Sequence, residues 1–154
     1  MKNISAILFV CVAFVGPIRA DYDAVLSAAR EFRARCDRAI PDDKRNDAYA
    51  IGHILHLRLS ELDEEVAVLE GLQLQLAAAK GKNELVSAYC SAFTVRSLDM
   101  LDHLVGQSID SLKIAGIAVP ADVSEASRML HGAIQSFYQK PQKRGSLDEK
   151  KNGG

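Results

Sequence analysis

Apolar residues at Ile51, Leu55, Leu59, Leu62, Val66, Leu69, Leu72 and Leu76 recur at steps of three and four through the stretch from Lys44 to Ala79. Those steps hold one face of an α-helix apolar. Upstream, Tyr22, Val25, Ala29, Phe32, Cys36 and Ala39 trace a first amphipathic helix, with Arg30, Arg33, Arg35 and Arg38 mostly off the stripe. Pro41 ends it, because proline disfavours the helical conformation at the residue before it. Asp42 and Asp43 then supply negative charge at the next helix N-terminus.

The long stretch closes at Lys80-Gly81-Lys82-Asn83, where Gly81 can cap one helix and Asn83 the next. From Glu84 to Ala115 the positions Val86, Cys90, Phe93, Leu98, Leu101, Val105, Ile109 and Leu112 again fit a helix, with a phase shift between Phe93 and Leu98. Folding this helix back about Gly81-Lys82 pairs residue i with roughly 163−i and brings the two stripes into register, which predicts an antiparallel helical hairpin. Gly116 to Pro120 reads as a loop. A last helix follows from about Asp122 through Val123, Ala126, Leu130, Ala133 or Ile134, and Phe137, and Pro141 stops it. No segment has the two-residue alternation of a strand, and no internal repeat is evident. The fold class is all-α.

The first twenty residues stand apart from this bundle. Lys2 precedes the apolar run Ile4 to Val15, followed by Gly16-Pro17 and a small residue at Ala20, the layout of a cleaved secretory signal. That run is shorter than the ~20 residues of a membrane span, so no transmembrane anchor is expected. Residues 21–140 form the helical domain, and 141–154, charged and ending in glycines, are expected to be disordered. Without Lys2 and Arg19 the mature chain holds 17 basic and 20 acidic residues, a balance that does not point to nucleic acid. There is no Asn-x-Ser/Thr sequon in the mature part.

Removing the leader also removes Cys11 and leaves Cys36 and Cys90, which in an oxidising compartment are expected to pair, free buried thiols or an intermolecular bridge being the alternatives. That pairing conflicts with one straight helix over residues 44–80. A first helix folded back about Pro41-Asp42 sets Cys36 level with residue 47, and Cys90 lies level with residue 73, roughly 39 Å further along the axis at 1.5 Å per residue. Bridged cysteines need Cα atoms within about 7 Å. Ser60 offers a break, because Glu61, Asp63, Glu64 and Glu65 resemble the acidic first turn of a new helix and His53, His56 and Arg58 suit a helix C-terminus. Against a break stand the unbroken stripe from Leu55 to Val66 and the lack of Gly or Pro at Ser60. The expectation is a chain that breaks or bends sharply near Ser60, giving an antiparallel bundle of about four to six helices pinned by one disulfide. A long two-helix hairpin carrying two shorter helices is the alternative.

Chemistry-bearing residues are few. His53 and His56 share a helix side, and His103 with Asp99 or Asp102 on the partner helix could add ligands, but the hairpin register sets them a turn or more apart, so no metal is expected. No nucleophile elbow or comparable catalytic motif is present, and no cofactor or enzymatic activity is expected. Charge is uneven: Leu59 to Ala79 holds five acidic residues and no basic one, whereas Arg30 to Arg45 holds six basic against four acidic. Such asymmetry can steer a protein partner or simply let helices complement one another. Arg30, Arg33 and Arg38 are the candidate partner surface, arginine being enriched in interfaces. Phe93, Met100, Met129 and Phe137 are candidates to line an apolar pocket for a small hydrophobic ligand.

In layout, a secreted helical domain of this size is similar to small helical salivary proteins of blood-feeding arthropods, which block host proteins by surface binding. It also resembles insect odorant-binding proteins, departing from their usual six spaced cysteines with Cys36 and Cys90 alone. The expected function is non-enzymatic, extracellular surface binding to another protein. Carriage of a small hydrophobic ligand in the bundle interior, or a structural or storage role, are the alternatives.

Overall fold

The computed structural model describes residues 4–45, 52–79 and 83–139, with side chains described from Asp21 onward except at 52–54 and 84. Five α-helices follow one another: α1 (Ile4–Ala39), α2 (Asp42–Arg45), α3 (Gly52–Ala79), α4 (Glu84–Ile114) and α5 (Ala121–Gln139). No strand occurs among the described residues. The four long helices run alternately up and down, with α1 between α3 and α5, and α4 closing the ring against the same two neighbours.

Register follows from side-chain pairs. Glu65 of α3 accepts a hydrogen bond from Ser97 of α4, close to the expected hairpin pairing about Gly81-Lys82, residues that themselves lie outside the described part. Asn83 caps α4, its Oδ1 accepting from the Val86 amide at 3.2 Å. Gly116, at φ 70°, closes the C-terminus of α4, and the Ile117 amide reaches back to the Leu112 carbonyl at 2.9 Å. Arg33 opposite Asp63 and Gln73 opposite Asp23 set α1 against α3, and Tyr22 against Phe137 sets α1 against α5.

The stripes form the core. Tyr22, Val25, Ala29, Phe32 and Cys36 of α1 are buried, as are Leu55, Leu59, Leu62, Val66, Leu69 and Leu72 of α3, and Val123, Ala126, Leu130 and Ile134 of α5. On α4 the inward positions include Thr94, Ser97, Ser108 and Ser111 beside Leu98, Leu101 and Leu112. This accounts for the phase shift in its apolar pattern: small polar residues occupy two of the inward sites between Phe93 and Leu98.

Two expectations are corrected. The first is the break at Ser60: α3 runs continuously from Gly52 to Ala79, with Ser60 exposed on its outer face. The acids that resemble a new first turn act sideways instead. Glu61 pairs with Arg58, Asp63 with Arg33, and Glu65 with Ser97. The apolar stripe therefore keeps its phase and nothing interrupts the backbone ladder. Before α3, α2 ends at Arg45, and residues 46–51, where the sequence pattern continues, lie outside the described part.

The second is the bridge. Cys36 and Cys90 are both free and buried. The register of Arg33 with Asp63 puts Cys36 level with about residue 60 of α3, while Cys90 contacts Gln75 at 3.6 Å. The thiols are thus roughly 20 Å apart along the bundle axis at the α-helical rise, far beyond the span of a disulfide. A straight α3 and an intramolecular bridge exclude each other, and the fold takes the straight helix.

α1 includes the expected leader, helical from Ile4 through Gly16 and Pro17. No described helix is long and apolar enough to cross a membrane. The expected charged tail, 141–154, lies outside the described residues.

Candidate partner surface

The arginines of α1 divide between two seams. Arg30 forms an ion pair with Glu70, and Arg33 Nε lies 3.0 Å from Asp63 Oδ2, so both bind α1 to the acidic flank of α3. Arg35 faces the other way, donating to Glu31 at 2.6 Å and to the Asp122 carbonyl at 2.8 Å, which fixes the start of α5. Arg38, 62% exposed, reaches Glu31 only at 3.8 Å. The basic helix and the acidic helix complement each other within the fold, and of the three candidate arginines Arg30 and Arg38 both stay largely exposed, Arg38 with the longest ion-pair contact.

A different surface stands out along the outer seam between α3 and α4. Arg58, Glu61, Glu64 and Glu65 on one bank and Met100, His103, Leu104 and Gln107 on the other enclose a solvent-open groove of about 390 Å³. Helical spacing extends it. Leu57 lies one turn before Glu61 and Val68 one turn beyond Glu64, while Phe93 lies seven residues before Met100 and stacks on Tyr89 with ring centroids 4.3 Å apart. Leu57, Val68, Tyr89 and Met100 are between 39% and 55% exposed. Singly such residues are unremarkable; aligned on one seam they form an apolar strip with a polar rim. The sequence hid this strip, because Phe93 and Met100 fit a core pattern equally well until the register of α3 and α4 is known.

A second groove of about 390 Å³ separates α4 from α5, lined by Val105, Gly106, Ile109 and Gly132 with Asp102, Ser127, Arg128 and His131. His131 Nδ1 lies 3.0 Å from Asp102 Oδ1 across it. The residues considered as metal ligands are dispersed: Asp99 accepts from the Tyr138 hydroxyl at 2.6 Å, His103 contacts Gln107 at 2.8 Å, His56 is exposed, and the side chain of His53 is outside the described part. No group of three or more metal-binding side chains occurs among the described residues. The four residues considered for an apolar pocket do not meet in one. Phe137 packs on Tyr22, Phe93 on Tyr89, and Met100 and Met129 face solvent.

The thiols are poorly placed for chemistry. Burial, with the nearby Asp122 carboxylate, pushes the Cys36 thiol up to about 12, so it carries no thiolate at neutral pH. Burial likewise raises Tyr22, whose hydroxyl contacts Thr94 Oγ1 in the core. These groups support packing.

Comparison with known protein families, with curated proteins and with solved structures finds no match.

Proposed function

We propose that the mature chain is a secreted, non-enzymatic helical protein that acts by binding another protein through its surface. The observation that carries this reading is the strip of exposed apolar side chains at Leu57, Val68, Tyr89 and Met100, set beside charged residues on one face of the bundle. Secretion rests on the leader pattern before Asp21. Cleavage after Ala20 leaves the buried stripe of α1 intact from Tyr22 onward and makes Asp21 and Asp23 the acidic first turn of the shortened helix.

Expression of the full chain in a secreting eukaryotic cell tests both halves. The protein in the medium should begin at Asp21, and its native mass spectrum should give the bare mature mass. A co-purifying lipid would instead favour the carrier reading and overturn this one.

A further inference from the structure

We infer that the α3/α4 seam receives a basic amphipathic helix from the partner protein. The inference rests on the surface-binding reading and adds where the partner docks and what chemistry it presents.

The open groove runs along residues 58–65 of α3 and 100–107 of α4, and exposed apolar residues continue its line along the seam. From Tyr89 to Gln107, α4 contributes about 27 Å at the α-helical rise, five turns of an occupying helix. Leu104 is buried at the groove's base and the partly exposed Met100 lines it, with Val68 and Phe93 continuing the apolar strip at helical spacing. An incoming helix would therefore present a stripe of apolar residues at three- and four-residue steps.

The banks give the sign of charge. Glu61, Glu64 and Glu65 all line the groove, and Arg58 pairs with Glu61 at 2.5 Å. Glu65 accepts from the neutral Ser97 hydroxyl, and Glu64 has no ion pair among the described residues. The other bank brings Gln107 and His103, bonded to each other at 2.8 Å, with Arg96 one turn before Met100. The acidic residues that α1 neutralises, Asp63 and Glu70, lie on the opposite flank of α3. Glu64 and Glu65 are thus the groove carboxylates without an ion pair among the described residues, while Glu61 is held by Arg58. Lysine or arginine on the occupying helix would satisfy them while its aliphatic stem covers Met100 and Leu57.

The test titrates the secreted protein with three synthetic peptides of about 18 residues, the length whose helical rise matches the seam. One is a lysine/leucine helix with its leucines on one face, one a glutamate/leucine helix of the same pattern, and one a scrambled lysine/leucine peptide. The first should bind at least about tenfold more tightly than either of the others. Its affinity should fall about tenfold in Glu61→Gln/Glu64→Gln and, separately, in Val68→Ser/Met100→Ser, which are exposed changes of the size expected at an interface centre. Circular dichroism checks that each variant keeps its helices. Equal binding of the acidic helix or of the scramble overturns the inference, as does binding that both double variants leave unchanged, or light scattering that shows the seam closed by a second copy. A lipid-loaded native mass would refute the surface-binding reading itself, whatever the peptides do.

Discussion

The Tyr22 hydroxyl on α1 meets Thr94 Oγ1 on α4 inside the core, joining the two helices that sit diagonally across the bundle. Thr94 donates its own proton to the Cys90 carbonyl at 2.7 Å, so Tyr22 is the donor between the two hydroxyls. Tyr22→Phe keeps the edge-to-face contact with Phe137, at 5.1 Å between centroids, and removes only the hydrogen bond. It should destabilise the protein by about 1 kcal/mol, or a few degrees of Tm. Tyr22→Ala, which also empties core volume, should cost about 3–5 kcal/mol. Thermal unfolding of both variants checks the ratio; equal losses would mean that the hydroxyl, and not the ring, carries the contribution.

Burial raises the pKa of Cys36, Tyr22 and Tyr138 together, Tyr138 also through its hydrogen bond to Asp99. All three groups are neutral in the folded state below their raised values and ionise first in the unfolded chain. Their contribution is therefore complete below the unfolded pKa and is lost as pH rises. For Cys36 the loss runs from the ordinary 9.0 to about 12. Stability should accordingly fall by about a few kcal/mol across that alkaline window. Urea unfolding at a series of pH values reads it, and Cys36→Ala should flatten the slope between pH 9 and 12.

The two thiols make a sharper prediction. Cys36 and Cys90 behave as small buried apolar groups, so reductant should leave Tm unchanged, and a thiol reagent should label neither residue until the protein unfolds. Peptide mapping under non-reducing conditions should recover the two cysteines on separate peptides. A linked Cys36–Cys90 pair would require α3 to bend near Ser60 after all.

The helices were legible in the sequence because their stripes, caps and stops agree, as at Asn83 and Pro41. The α3/α4 register was legible too, since only four residues separate Ala79 from Glu84, which leaves little freedom, and Glu65 lies beside Ser97. The register of α1 was not. Its connection to α3 spans residues 40–51, long enough for α1 to slide by more than three turns relative to a tight fold-back. Ser60 misled for a related reason. Serine followed by acids signals a helix start only when no other partners exist for those acids, and here Arg33, Arg58 and Ser97 supply them from the side. The apolar strip at Val68 and Met100 was hidden by the same missing information, because exposure on a helix depends on which neighbours cover it.

The arginine row separates a structural role from a recognition role. Arg30 and Arg33 make partly exposed ion pairs, and such pairs contribute at most about 1 kcal/mol each. Arg30→Ala, Arg33→Ala and Arg38→Ala combined should therefore leave the protein folded with a slightly lower Tm, and the loss should shrink in high salt. If the partner docks only on the α3/α4 seam, its capture should survive this triple change. Loss of capture by a folded triple variant would instead place the interface on α1.

Three helical glycines stand where side chains would fit. A Cβ built at Gly71, Gly106 or Gly132 meets nothing within 4 Å. Glycine in a helix interior is less stable than alanine by roughly 0.5–1 kcal/mol, mainly through the entropy of the unfolded chain. Gly71→Ala, Gly106→Ala and Gly132→Ala should each raise stability by that amount, and the gains should add for Gly71 with either of the others. Gly116 is the internal control. At φ 70° it terminates α4 in the left-handed region, so Gly116→Ala should destabilise by about 1 kcal/mol although space is equally free there. Gly106 and Gly132 line the α4/α5 groove from opposite sides, and the pair is the more informative case. Additive gains would show that α4 and α5 keep their present spacing in solution. A double variant less stable than either single one would show that the helices approach more closely there, with the two new methyl groups in contact.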